Sequence, residues 1–150
     1  MATRREFGIH VCQAVSLATL AGALPACGGS PTSPSSAPSL PSVGGSVVNG
    51  TVVLTIDASS PLSAVGSAAL VQSTAGNFLV THTAQSVFTA LTAICTHEAC
   101  TISGFESQMF VCPCHGSRYN TSGIVLTGPA QASLRQFATQ FSNDILTITT

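Results

Sequence analysis

The chain has 150 residues but only four Arg, no Lys and five Asp or Glu, for a formal net charge of −1. So sparse a charge leaves no basic face to hold a phosphate backbone, which excludes nucleic acid as a partner. Two unusual stretches at the front leave room for one small domain of about a hundred residues, and six cysteines in so short a chain point to an oxidising compartment, a metal centre or both.

Residues 1–26 read as a targeting segment. Charges come first, as Arg4-Arg5-Glu6, and a nearly uncharged run from Phe7 to Ala26 follows, the n-region and h-region of a signal peptide. Thr3-Arg4-Arg5-Glu6-Phe7 resembles the twin-arginine export signal, a route for folded proteins. Leu24-Pro25-Ala26-Cys27-Gly28 resembles a lipobox, which implies cleavage before Cys27 and lipidation of that cysteine. A permanent transmembrane helix is the second reading, because the run approaches the roughly 20 apolar residues a span requires. Gln13, Ser16, Thr19, Gly22 and Pro25 make it weakly hydrophobic for that task. Cys12 is a small apolar residue of the signal core, and His10 falls within the signal too. Residues 27–46 are almost wholly Gly, Ser, Pro, Thr and Ala, a composition expected to form an extended tether between a lipid anchor and a folded head.

From residue 47 to 150 short β-branched runs alternate with turn residues. Thr51 to Ile56, Asn77 to His82, Val87 to Ile94, Gln108 to Val111 and Ile145 to Thr149 are predicted strands, and no helix pattern interrupts them. The head is expected to be all-β, an antiparallel sandwich or small barrel.

Two cysteine-rich segments, Cys95-Thr96-His97-Glu98-Ala99-Cys100 and Cys112-Pro113-Cys114-His115-Gly116-Ser117, each follow a predicted strand. Loops at strand ends can bring thiolates and imidazoles together, a ligand set that suits zinc or an iron–sulfur core. Structural zinc sites usually draw their cysteines from one segment and their histidines from the other, whereas here each segment offers both kinds. Four cysteines could also pair as two disulfides, which leaves His97, His115 and Gly116-Ser117 without a purpose.

The two boxes, C-T-H-x-x-C and C-P-C-H-G-S-x-Y, resemble those of high-potential Rieske proteins such as the ones in cytochrome bc complexes. The resemblance is close over roughly residues 90–130 and implies a two-loop cluster-binding subdomain. It also implies a [2Fe–2S] cluster with Cys95 and Cys112 on one iron, and His97 and His115 on the other. Two neutral imidazoles in place of two thiolates remove negative charge, which makes an electron easier to add; Rieske centres span roughly −150 to +300 mV against about −400 mV for plant-type ferredoxins. The resemblance further implies a Cys100–Cys114 disulfide, cluster-tuning hydroxyls at Ser117 and Tyr119, and a covering proline loop at Gly128-Pro129-Ala130. Glu98 departs from the family pattern, standing where quinol-oxidising relatives carry an apolar residue. His82, outside both boxes, is expected to be an ordinary histidine.

No catalytic nucleophile or acid–base pair is visible apart from this centre. The expected function is one-electron transfer by an exported, lipid-tethered carrier. Its donor would be a quinol-oxidising complex or a cytochrome, and its acceptor a c-type cytochrome. The alternatives are an iron–sulfur subunit of a quinol–cytochrome c oxidoreductase and a zinc-stabilised binding module.

Overall fold

The computed structural model describes residues 36–150; the signal positions Arg4 and Arg5 and the lipidation position Cys27 lie outside the described residues. The described residues form twelve strands and no helix: β1 (Ser42–Gly44), β2 (Ser46–Val48), β3 (Thr51–Thr55), β4 (Ala68–Ser73), β5 (Gly76–Ala84), β6 (Val87–Thr92), β7 (Gly104–Glu106), β8 (Met109–Val111), β9 (Arg118–Asn120), β10 (Val125–Thr127), β11 (Gln136–Ser142) and β12 (Ile145–Thr149). The all-β expectation holds, and the five predicted strands coincide with β3, β5, β6, β8 and β12.

The strands divide between an eight-stranded sheet ordered β1-β4-β5-β6-β11-β12-β3-β2 and a four-stranded sheet ordered β10-β9-β8-β7. The two edge strands of the larger sheet, β1 and β2, are joined by Gly45 alone, so the sheet curls into a nearly closed barrel with little exposed edge. Gly45 has no room for a side chain, because a Cβ there would stand 2.6 Å from Cγ1 of Val52.

Here the structure corrects the expected tether boundary. From Pro38 to Gly45 the Gly/Ser/Pro-rich stretch is part of the fold. Leu40 N–H donates to Ser103 O at 2.7 Å, Phe105 N–H donates to Pro38 O at 2.9 Å, and β1 pairs in parallel with β4. Backbone pairing of this kind needs no apolar side chains, which is why composition hid it.

Tight turns set the registers. Asn49-Gly50 between β2 and β3 and Asn143-Asp144 between β11 and β12 hold both residues at positive φ, the geometry of two-residue hairpins. Ser107-Gln108 does the same between β7 and β8 without a residue type that favours it. The Gln108 side chain donates to Gly66 O at 2.9 Å, tying the small sheet's hairpin to a barrel loop.

Strands β4, β5 and β6 are buried on both faces. Ala69, Val71, Phe78, Val80, Phe88 and Ala90 point into one core with Val52, Leu54, Leu146 and Ile148. Leu70, Leu79 and Leu91 point the other way, into a second core with Phe110, Tyr119, Ile102, Leu134 and the cysteines Cys95 and Cys112. This second core fixes the site, because it packs the small sheet and its loops onto the barrel wall. His82 is buried in the wall, stacked on Phe88 with ring centroids 4.3 Å apart and with Nδ1 2.9 Å from Leu62 O. It takes no part in the site, in line with the sequence reading.

Candidate metal centre

The chain leaves β6 and turns through Cys95–Cys100; it leaves β8 and turns through Cys112–Ser117. The two loops have one backbone design. Cys95 N–H donates to Cys100 O at 2.8 Å and Ala99 N–H donates back to Cys95 O at 3.0 Å; Cys112 N–H donates to Ser117 O at 2.9 Å and Gly116 N–H donates back to Cys112 O at 3.0 Å. The fifth residue of each loop is left-handed, Ala99 at φ 53° and Gly116 at φ 74°, which explains a glycine in the second loop and marks a strained alanine in the first.

This fold of the backbone turns amides toward the sulfurs. Cys95 accepts from the amides of His97 and Glu98, and Cys112 from those of Cys114 and His115. Both cysteines are free thiols, buried beside one another. Burial pushes the Cys95 thiol up, but the Tyr119 hydroxyl, the His97 and Glu98 amides and the Cys112 side chain together outweigh it, so Cys95 lies below the ordinary thiol range. Cys112 lies above that range. Burial raises it most, the Cys95 side chain and charge add to this, and the amides of Cys114 and His115 offset only part.

The disulfide between Cys100 and Cys114, with Cα atoms 6.5 Å apart, clamps the loops together as the sequence reading expected. The imidazoles of His97 and His115 meet edge to face at 4.9 Å between centroids. His97 is exposed and His115 half-buried, so two buried thiols lie behind two histidines that reach the surface. Glu98 joins the histidines at the tip, with Oε2 3.7 Å from His115 Nε2.

The remaining positions close the site from the side. Tyr119 is fully buried with its hydroxyl 3.3 Å from Cys95 Sγ. Ser117 is also fully buried, and its Oγ accepts from Ala130 N–H at 3.0 Å, which holds the Gly128-Pro129-Ala130 turn against the second loop. Thr96 is the residue that sequence reasoning passed over. Its hydroxyl donates to Ala132 O at 2.6 Å and stands 3.1 Å from the Tyr119 hydroxyl, fastening the first loop to the turn. Ala132 is 36 residues further along the chain, so no local spacing could show it.

Two free thiols cradled by amides and two adjacent imidazoles form a mixed sulfur and nitrogen donor set, which fits an iron–sulfur centre. Fold and site together define an all-β electron-transfer type of domain with a two-loop metal centre. Residues 53–138 match the family model for the Rieske [2Fe-2S] domain, and the chain belongs to that family, whose cofactor is a [2Fe–2S] cluster.

Among curated relatives, the chain is 44% identical over 61 residues to the cytochrome b6-f complex iron-sulfur subunit of Trichodesmium erythraeum, covering 39% of this chain and 34% of that one. It is 42% identical over 60 residues to the subunit of the same description from Cyanothece, with the same 39% and 34% covered. The matched stretch is thus about a third of each relative's length. Among solved structures, the cyanobacterial plasma membrane Rieske protein PetC3 from Synechocystis PCC 6803 superposes with a TM-score of 0.54 at 29% identity, over 65% of this chain and 99% of that one. A chain from the complex of reduced oxygenase and oxidized ferredoxin in carbazole 1,9a-dioxygenase shares the fold, with a TM-score of 0.52 at 22% identity over 65% of this chain and 92% of that one.

Proposed function

We propose that this chain carries single electrons, with Cys95 and Cys112 binding one iron of the cluster and His97 and His115 the other. The observation that supports this best is the paired arrangement at one end of the head, two buried free thiols behind two surface histidines, locked by the Cys100–Cys114 disulfide. The cluster supplies the one-electron redox couple. The residues around it supply a dry pocket, amide and hydroxyl donors at the sulfurs, and an imidazole edge for electron entry and exit. Ser117 and Tyr119 tune the potential as hydrogen-bond donors, and Gly128-Pro129 shields the third side.

In this reading the head is exported through the Arg4-Arg5 signal and held at a membrane by lipid on Cys27. It takes electrons from a quinol-oxidising complex or a cytochrome and passes them to a c-type cytochrome. Iron analysis and electron paramagnetic resonance of the reduced protein test the centre. Two irons per chain and the low-average-g signal of a mixed Cys/His cluster are expected, whereas stoichiometric zinc would assign a structural zinc module instead. The descriptions of the b6-f relatives favour a second reading, a subunit of a quinol-oxidising complex. Purification of the native protein with or without a bound cytochrome b separates the two.

A further inference from the structure

The carrier reading leaves Glu98, at the tip between the two loops, without a task. Its backbone amide faces inward to the Cys95 sulfur, while its side chain, 60% exposed, faces outward beside His115. The described residues hold four acids, Asp57, Glu98, Glu106 and Asp144, against the two bases Arg118 and Arg135. Arg118 is bound to Glu106 at 2.7 Å, and Arg135 lies over the Phe137 ring at 4.5 Å. Glu98 therefore has no Arg partner among the described residues, and its carboxylate stands next to the histidines that reach the surface.

We propose that Glu98 anchors a docking face for a soluble electron-transfer protein that presents Lys or Arg side chains around its own redox centre. This rests on the carrier reading above and names its partner class. An exposed carboxylate is poorly suited to an apolar docking surface, since burying it unpaired is costly. Against a cationic rim the same charge steers the encounter and sets the register of the two redox edges. Within the complex one electron leaves the reduced head and reduces a ferric haem to ferrous. No bond forms or breaks.

The test is the second-order oxidation rate of the reduced holoprotein and its E98Q variant, measured by stopped flow at several ionic strengths. One oxidant is a basic c-type cytochrome and the other is hexacyanoferrate(III), an anion. Removing one charge at a contact separation of about 8 Å in water changes the encounter by about two- to threefold. E98Q is expected to react that much more slowly with the cytochrome at low salt, with a shallower salt dependence, and faster with hexacyanoferrate. The opposite signs matter, because a change in the cluster's potential moves both rates in one direction. Equal cytochrome rates and salt slopes for both proteins would overturn the proposal, as would two rates that shift together. So would an E98L variant that reacts faster with a quinol-oxidising complex while its cytochrome rate is unchanged. If neither oxidant takes an electron from the wild type at any salt, the carrier reading itself fails, and the docking face with it.

Discussion

The hydroxyl of Tyr119 stands 3.3 Å from the sulfur of Cys95, 24 residues earlier in the chain, so the small sheet reaches over to hold a thiol of the first loop. The protons around that hydroxyl can be assigned. Thr96 N–H donates to it at 3.3 Å, and the Thr96 hydroxyl proton is committed to the Ala132 carbonyl, which can only accept. Tyr119's own proton is thus available to the sulfur or to Thr96 Oγ1. Tyr119→Phe keeps the ring in its core and removes this donor. A loss of about 1.4 kcal/mol between the two oxidation states corresponds to about 60 mV for one electron. The midpoint potential is expected to fall by that order, read by redox titration, with the fold intact by circular dichroism.

The cluster-free protein should release its two thiol protons in separate steps. Cys95 lies below the ordinary thiol range, so its thiolate stabilises the fold above the unfolded pKa, and that contribution is lost as pH falls through the folded value. Cys112 lies above the range. Its protonated form favours the fold below the unfolded pKa, and this is lost as pH rises through the folded value. Thiolate absorbance should show one step on each side of the ordinary thiol value, and Tyr119→Phe should move only the lower step upward. A single step at the ordinary value for both groups contradicts this.

Much of this architecture was legible from residue types, and the illegible parts have more than one cause: β4 fills both cores with Ala69, Leu70 and Val71, but only one of its apolar residues is β-branched. The five runs rich in Val, Ile, Leu and Thr announced themselves because their side chains fill cores. In β11 alternate residues are only half-buried, with Phe137 and Phe141 packing at the margin of one core, so its pattern is faint. β1, Ser42-Val43-Gly44, holds its place mainly through backbone pairing, and so short a run with serine and glycine gives no sign of that. At the site, the spacing of the two boxes is local and readable. The Glu98–His115 approach and the Thr96–Ala132 bond depend on how three separate loops converge.

Ala99 and Gly116 hold equivalent positions in the two loops, yet only one is a glycine. Ala99→Gly should raise stability by up to about 1 kcal/mol by removing the left-handed penalty, and Gly116→Ala should lower it by about 1–2 kcal/mol. Chemical denaturation of the cluster-loaded proteins measures both. A loss of stability in Ala99→Gly would mean that the alanine methyl has a packing role outweighing its strain.

Replacing Cys100 and Cys114 together by Ala should cost about 3 kcal/mol, the chain-entropy value for closing a loop over 14 residues. Because the disulfide joins the loops themselves, cluster release under mild denaturant should accelerate more than global unfolding does. Comparing the decay of cluster absorbance with that of the far-ultraviolet signal separates the two rates.

The pairing of Pro38 and Leu40 with Ser103 and Phe105 has a mechanical consequence. Tension applied along the chain from its N-terminal side first reaches two backbone hydrogen bonds to the strand edge at β7. Behind them, the Leu70 N–H bond to Pro41 O and the parallel β1–β4 pairing take up the load at the barrel seam. A force applied on the N-terminal side of Pro38 is therefore felt first by the small sheet and the loops that bear the metal site.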